Sequence, residues 1–307
     1  MSAAYNASIF NDENAARGAL ESVRWPDGPV CVHCGCTDQI SRVEGTKKSH
    51  RPGLLYCNDC KGQFTVTVGT VFERSKIPLT KWWLATHLLC ASKKGISSHQ
   101  IHRTLGVTYK TAWFMTHRIR EAMKDGSMSF IGGPGKTVEA DETYLAKSPK
   151  TRKPKGEPLH AKSSPMVFSL VERGGNVRSM YLDHKNVRRA LVEHLHEKSR
   201  LVTDGATTYK FVMPSPEQHE SVDHSKFEWS RGDVHTNTLE GIFSIFKRGL
   251  VGTYQHMDKK HLDRYLAEFD FRYNNRAAVG VNDSERTRAA MKGIEGKRLT
   301  YRRPDEA

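Results

Sequence analysis

The sequence predicts an α/β chain built on a mixed sheet with flanking helices, preceded by a small cysteine-bearing β unit and a helical region. Three observations carry this. From Thr137 onward, short apolar runs of strand character alternate with runs of helical 3-4 spacing. Ahead of them, two Cys-x-x-Cys pairs sit among Gly, Pro, Val and Thr between residues 25 and 72. Between these regions lies a stretch opened by Pro78, with a Trp-rich run and then a second helical run.

Taken in order, residues 1–22 read as a short leader with one helical piece, and 23–75 as the cysteine unit. Residues 76–130 read as the helical region, 131–280 as the α/β region, and 281–307 as a basic polar tail. Gly132-Gly133-Pro134-Gly135 is a linker at the head of the α/β region. Thr137 to Tyr144 and Met166 to Glu172 read as strands. Gly174-Gly175-Asn176 is a hairpin turn, and Val177 to Leu182 returns. Val187 to His196 is helical, Arg200 to Asp204 a short strand, and Val222 to His224 a further one. Thr238 to Leu250 and Lys260 to Tyr273 read as helices. Ala146 to Ser164, with Lys147, Lys150, Arg152, Lys153, Lys155 and Lys162, reads as a solvated loop whose basic side chains offer phosphate contacts.

Composition narrows the partners. Lys plus Arg is 48 against 34 for Asp plus Glu, a formal charge of +14 over 307 residues. That excess favours a polyanion: nucleic acid first, an anionic membrane surface second. The longest near-apolar stretch, Trp82 to Ala91, is about half of a membrane span. Met1 to Asn11 has neither a basic nor an apolar leader segment, so no signal peptide is expected. A secreted, membrane-spanning or collagenous protein is not expected.

Cys31 and Cys34, and Cys57 and Cys60, are two knuckle pairs with 22 residues between them. Two such pairs present four thiolates to one tetrahedral zinc, and four protein ligands leave no open position for catalysis. A redox pair needs only one Cys-x-x-Cys and a thioredoxin-like context, which is absent. A structural zinc ribbon is therefore expected, with Cys36 a spare thiol and Cys90 a core thiol. Farther on, Ser97-Ser98 caps a helix, Gly106 breaks it, and Tyr109 to Met123 follows as a basic second helix. This is a helix-turn-helix-like pattern, equally the pattern of an ordinary helical hairpin. Lys110, Thr111, His117 and Arg118 are its candidate DNA-facing residues. Trp82 and Trp83 read as core.

Three acids carry the chemistry. In Val138-Glu139-Ala140-Asp141-Glu142, alternation puts Glu139 and Asp141 on one face of a strand. Asp204 closes the apolar strand Arg200 to Asp204, where a carboxylate is costly unless it is paired or holds a metal. Glu240 lies in the first turn of a helix whose Leu239, Phe243, Phe246 and Leu250 make the core stripe. Asn237, Glu240, Ser244 and Lys247 form the adjacent stripe. Each acid alone is explained by a cap, a turn or a surface pair. Together they are hard oxygen ligands for magnesium or manganese, and a lysine on the same helical face suits a phosphate. Asp223 is a weaker rival ligand. Glu139 and Glu142 read as supporting or surface residues.

Thirty-five residues separate Asp204 from Glu240, and Lys247 follows seven later. This pattern is similar to that of the DDE transposase and integrase superfamily. The block His235-Thr236-Asn237-Thr238-Leu239-Glu240-Gly241-Ile242-Phe243-Ser244-Ile245-Phe246-Lys247 resembles the ISXO-like bacterial insertion-sequence transposases, as does Tyr265 to Arg276. The resemblance spans roughly residues 20 to 280. It implies a ribonuclease H-like catalytic domain, two Mg2+ or Mn2+ ions per active site, and an N-terminal zinc ribbon followed by a DNA-binding region. It implies that Asp141, Asp204 and Glu240 hold the ions, with Asn237 and Lys247 in the same site. The family's third position is an Asn-x-x-Glu, and a carboxylate binds a hard cation better than an amide, so Glu240 is expected to be the ligand. The implied activity is binding of terminal inverted repeats, metal-dependent cleavage of the element ends, and transfer of the 3′-hydroxyl to target DNA. The partners implied are the element ends, target DNA and at least a second copy of the chain; the location implied is the cytoplasm, with the nucleoid. Two rivals stand beside it. A non-catalytic zinc-ribbon/helix-turn-helix regulator explains the charge and leaves the acids unexplained. A ribonuclease H-type nuclease explains the acids without strand transfer.

Overall fold

A computed structural model of the chain describes residues 6–44, 50–126, 129–145, 166–182, 186–205, 209 and 218–300. The chain divides into two units: Met1–Ser92, Ile96–Lys124 and Gly280–Ala307 form one, Lys93–Gly95 and Asp125–Val279 the other. The basic insertion 146–164 lies outside the described residues. Among the described residues, no helix is long and apolar enough to cross a membrane.

In the first unit, β1 (Ile40–Arg42), β2 (Leu55–Cys57) and β3 (Gln63–Phe64) make a small antiparallel sheet in the order β1-β2-β3. Helix α1 (Glu13–Arg24) is capped by Asp12, which accepts from Ala15 N at 2.7 Å. It turns Ala16 and Leu20 inward. Helix α2 (Leu79–Ala91) opens on Pro78, which removes a donor that no helix could satisfy there. The Glu13 carboxylate caps it instead, accepting from Leu79 N at 2.9 Å and Thr80 N at 3.2 Å. Trp82 and Trp83 are core residues, each 1% exposed.

Helix α3 (Ser98–Leu105) follows the predicted capping, and α4 (Tyr109–Met123) is capped as well. Ser97 accepts from Gln100 N and Thr108 from Thr111 N. Gly106 takes φ +59°, the left-handed conformation that ends α3 at little cost only for glycine. Two of the four candidate DNA-facing residues are corrected. His117 is fully buried. Arg118 is half-buried and donates to the carbonyls of Leu299 and Glu73. The apolar stripe of α4 runs through Ala112, Met115 and Ile119, and its turns carry His117 and Arg120 inward with it. Lys110 stays exposed at the first turn.

The segment read as a polar tail is also corrected. Helix α8 (Asp283–Lys292) begins with a full capping box between Asn282 and Glu285. It buries Thr287, Ala290 and Met291. Arg286 donates to the Cys90 carbonyl at 3.0 Å. A stripe this short is hidden among Arg and Lys in the sequence.

The second unit holds a five-stranded sheet in the order β6-β5-β4-β7-β8. Strands β4 (Thr137–Tyr144), β5 (Met166–Glu172) and β6 (Val177–Leu182) are antiparallel neighbours, while β7 (Arg200–Asp204) and β8 (His219–Val222) run parallel to β4. Strand β8 ends before Asp223, earlier than expected, because that residue leaves the sheet to cap a 3-10 turn. Both faces of the sheet are covered. Val138, Ala140, Phe168, Leu170 and Leu201 pack with Val187 and Leu191 of α5 (Val187–His194). Val167, Val171 and Val177 pack with Leu239, Phe243 and Phe246 of α6 (Asn237–Gly249) and Leu266 and Phe269 of α7 (Leu262–Asn274). Alternation along β5 divides its residues between the two cores. Gly249 permits close approach of α6 and α7, since a Cβ there would lie 2.6 Å from the Phe269 ring.

At the edge of the sheet, α7 reaches β6 through side chains. Asn274 accepts from Val177 N at 2.7 Å and donates to Val177 O at 3.0 Å. Asp270 accepts from Ser179 N at 2.6 Å and from its hydroxyl at 2.7 Å.

Candidate active site

The four knuckle cysteines converge. Their sulfurs all lie within 4.8 Å of one another, with Cys31 and Cys60 at 3.6 Å and Cys34 and Cys57 at 3.7 Å. These separations are far too long for disulfides, and they match the edge of roughly 3.8 Å for a tetrahedron with metal–sulfur bonds of about 2.3 Å. Four thiols on that spacing fit structural zinc. Backbone closes both knuckles: Gly35 N donates to Cys31 O and Cys57 N to Gly62 O, each at 2.9 Å. Burial opposes ionisation of Cys31, yet the N–H groups of Cys34 and His33 and the neighbouring thiols bring its pKa down to about 7. Cys57 is lowered too, while Cys34 and Cys60 are raised, so the four thiols share their protons and the first to ionise are Cys31 and Cys57. That favours the thiolate a metal needs. Gly62 leaves room for this: a Cβ there would lie 3.2 Å from the Cys60 sulfur and 2.9 Å from the His33 ring. His33 instead donates to the Gln63 carbonyl at 3.2 Å, and Cys90 is a buried core thiol.

In the second unit, β4 and β7 pair in parallel at a constant offset of 63 residues, from Thr137 with Arg200 to Ala140 with Thr203. One step further sets Asp141 opposite Asp204. Val138, Ala140 and Leu201 belong to the α5 core, so alternation turns Glu139, Asp141 and Asp204 to the face that α6 covers. Glu240 stands in the first turn of α6, half-exposed. Burial, above all, pushes the Asp141 pKa up to about 7, and the charges of Asp204, Glu142 and Glu240 add to the rise. Carboxylates gathered closely enough to oppose ionisation of Asp141 are a donor set suited to a divalent cation. Asn237, Ser244 and Lys247 lie exposed on the same side of α6 as Glu240. Lys247 is about 10 Å along the axis from it, at 1.5 Å per residue.

Glu139 and Glu142 are not surface residues. Glu139 is fully buried, accepting from Arg173 Nε (2.8 Å), Thr238 Oγ1 (2.8 Å) and Leu239 N (3.1 Å). It thus supplies the cap that Thr236 does not give α6 and fixes the helix start to β4. Arg173 continues to the carbonyls of Asp233 and His235. Glu142 accepts from the buried Tyr209 hydroxyl at 2.5 Å. Burial, then the charge of Asp204 against a lowering from Tyr209, leaves the Glu142 pKa raised. Asp223 is a cap: it accepts from Ser225 N at 3.0 Å and Ser225 Oγ at 2.5 Å and pairs with Lys226 at 3.2 Å. Those partners hold it below the usual carboxylate range. Sequence reasoning missed His224, whose Nε2 lies 3.9 Å from Glu240 Oε1. Nothing in its local pattern marks it. Arg173 was equally hidden, a turn residue like any other.

A zinc knuckle ahead of an α/β unit with clustered acids defines a class, and the comparisons agree. Residues 132–274 match the ISXO2-like transposase domain, and residues 11–63 match the transposase zinc-ribbon domain. The chain is similar to the ISXO2-like transposases over these two stretches. It is similar to an uncharacterized protein in transposable element ISH50 of Halobacterium salinarum, at 29% identity over 282 residues, covering 86% of this chain and 91% of that one. No solved structure matches it.

Proposed function

We propose that the chain is the DNA transposase of an insertion sequence, acting by in-line phosphoryl transfer at Asp141, Asp204 and Glu240. The observation that carries this is the placement of Asp141 and Asp204 in one register on the face covered by the helix of Glu240. The run of antiparallel β6-β5-β4 followed by parallel β7 and β8 supports a ribonuclease H-like catalytic domain over 131–280. The zinc ribbon would occupy 23–75 and the helical DNA-binding region 76–130. Magnesium or manganese, two ions held by the three acids, would neutralise charge on the attacking and leaving oxygens. The chain's own residues do the rest. Glu139 sets the helix start, and thereby Glu240, against β4. Asn237 stands one turn before Glu240 and orients a phosphate oxygen or the Glu240 carboxylate. Lys247 draws the strand's phosphate along the exposed stripe of α6 as a point charge. No protein nucleophile is required, and among the described residues Ser244 has no hydrogen-bonded base that would activate it.

The test is a donor plasmid carrying the gene with its native flanks, incubated with purified protein, magnesium and a target plasmid. Cuts at inverted repeats, with joining to the target and none from Asp204→Asn, are expected. Binding to the flanks without cutting would overturn the enzyme in favour of a regulator. Cutting without joining would reduce it to a nuclease.

A further inference from the structure

Beside the acids, residues 223–234 carry two large aromatics that folding does not use. Phe227 is 83% exposed and Trp229 is 60% exposed. Phe227 also sits at φ +61°, a left-handed conformation that costs a bulky aromatic and that glycine or asparagine would fill more easily. An exposed ring in a strained position contributes little to stability, and strain of this kind gathers at functional sites.

The segment is braced. Asp223 N donates to Glu228 Oε2 and Glu228 N to Asp223 O, each at 3.2 Å. Arg231 donates to Ser221 O at 3.2 Å and forms a turn with Val234. The Trp229 ring rests on His224 at 4.9 Å, and His224 lies 3.9 Å from Glu240. The aromatic surface is therefore continuous with the acid cluster. The charges around it are matched: Lys226 with Asp223, Arg231 with Glu228, Arg200 with Asp233. A matched, apolar, ring-bearing surface suits the face of a nucleobase better than a phosphate.

We propose that Trp229, with Phe227, is a stacking site for an unpaired base of the DNA strand held at the acid cluster. It rests on the phosphoryl-transfer reading of that cluster and adds a base-binding subsite to it. Every base has an apolar face, so the contact would grip a frayed or single-stranded end without regard to sequence.

The experiment uses the full chain with calcium, a single-stranded oligothymidylate and a blunt duplex of equal length. Trp25, Trp82 and Trp83 are buried and Trp113 is half-buried, so the Trp229 contribution to acrylamide quenching is read as the difference between the wild type and Trp229→Phe. Oligothymidylate should shield Trp229 from acrylamide, and the duplex should shield it less. Trp229→Ala should weaken single-strand binding roughly tenfold or more, while Trp229→Phe, which keeps a ring, should retain most of it. Phe227→Ala checks the second ring. DNA bound by the wild type with Trp229 still fully quenchable, and by Trp229→Ala with equal affinity, would overturn the stacking site and leave the transposase reading standing. An altered sedimentation coefficient in Trp229→Ala at unchanged DNA affinity would reassign the surface to a contact between copies. Failure to bind either DNA would remove the transposase reading itself.

Discussion

The two polar clusters of this chain are assembled in opposite ways. The four cysteines come from two knuckles within 30 residues, each held by its own turn. The three acids come from two strands and a helix spread over 100 residues. Local backbone shapes the first. Only sheet register and a buried strut shape the second. A local site can fail without disturbing its neighbours, whereas a distributed one depends on packing remote from the chemistry.

The sharpest test of that contrast is Asp204→Asn. It should lower cleavage by about a thousandfold or more, the several kcal/mol of charge stabilisation at stake in a metal site, and leave zinc content unchanged. Loss of zinc with it would break the independence of the two clusters. Next, Cys57→Ser should abolish stoichiometric zinc and melt the ribbon, since metal binding and folding of such units are one event. Atomic emission and limited proteolysis would read it, and a full complement of zinc would sink the ligand set.

Glu139→Gln probes the strut. It keeps the shape but leaves the half-buried Arg173 without its charge partner, at a cost of about 3 kcal/mol in urea unfolding. DNA cleavage should fall with it although Glu139 touches no substrate. Unchanged unfolding would mean the helix start is held by something else.

The smallest effect separates burial from clustering. Asp270, half-buried between α7 and β6, is pushed up to about 7 by desolvation, against the pull of Ser179 and Arg178. Its protonated form is the one the fold favours. Its contribution is therefore complete below the ordinary value of 3.8 and is lost as pH rises toward 7. Asp270→Asn should flatten the stability–pH curve in that window by at most about 1.4 kcal/mol per pH unit. Magnesium should stabilise this variant as much as the wild type. A magnesium response lost in Asp270→Asn would tie that acid to the cation.

How much was legible follows from the same contrast. Strands Thr137–Tyr144, Met166–Glu172, Val177–Leu182 and Arg200–Asp204 were readable to the residue because apolar alternation and the Gly174-Gly175 turn bound them. The cysteine cluster was readable from spacing alone. Asp141 and Asp204 could be singled out as costly strand-borne acids, but the register that joins them exists only in the sheet. Glu139 could be read only as supporting or surface, because the partners that decide it, Arg173 and Thr238, lie 34 and 99 residues away. His117 and Arg118 misled because basic character on a helix does not say which face is turned inward. Helix α8 was missed because its apolar stripe is three small or flexible residues among charges.

The side-chain clasp of Asn274 and Asp270 on β6 has a consequence for how this protein keeps to itself. A border strand with free N–H and C=O groups invites another chain to zip on. Here α7 occupies those groups at Val177 and Ser179, as a hand covers a row of open fasteners. Crowding many copies onto one stretch of DNA would otherwise bring such borders into repeated collision.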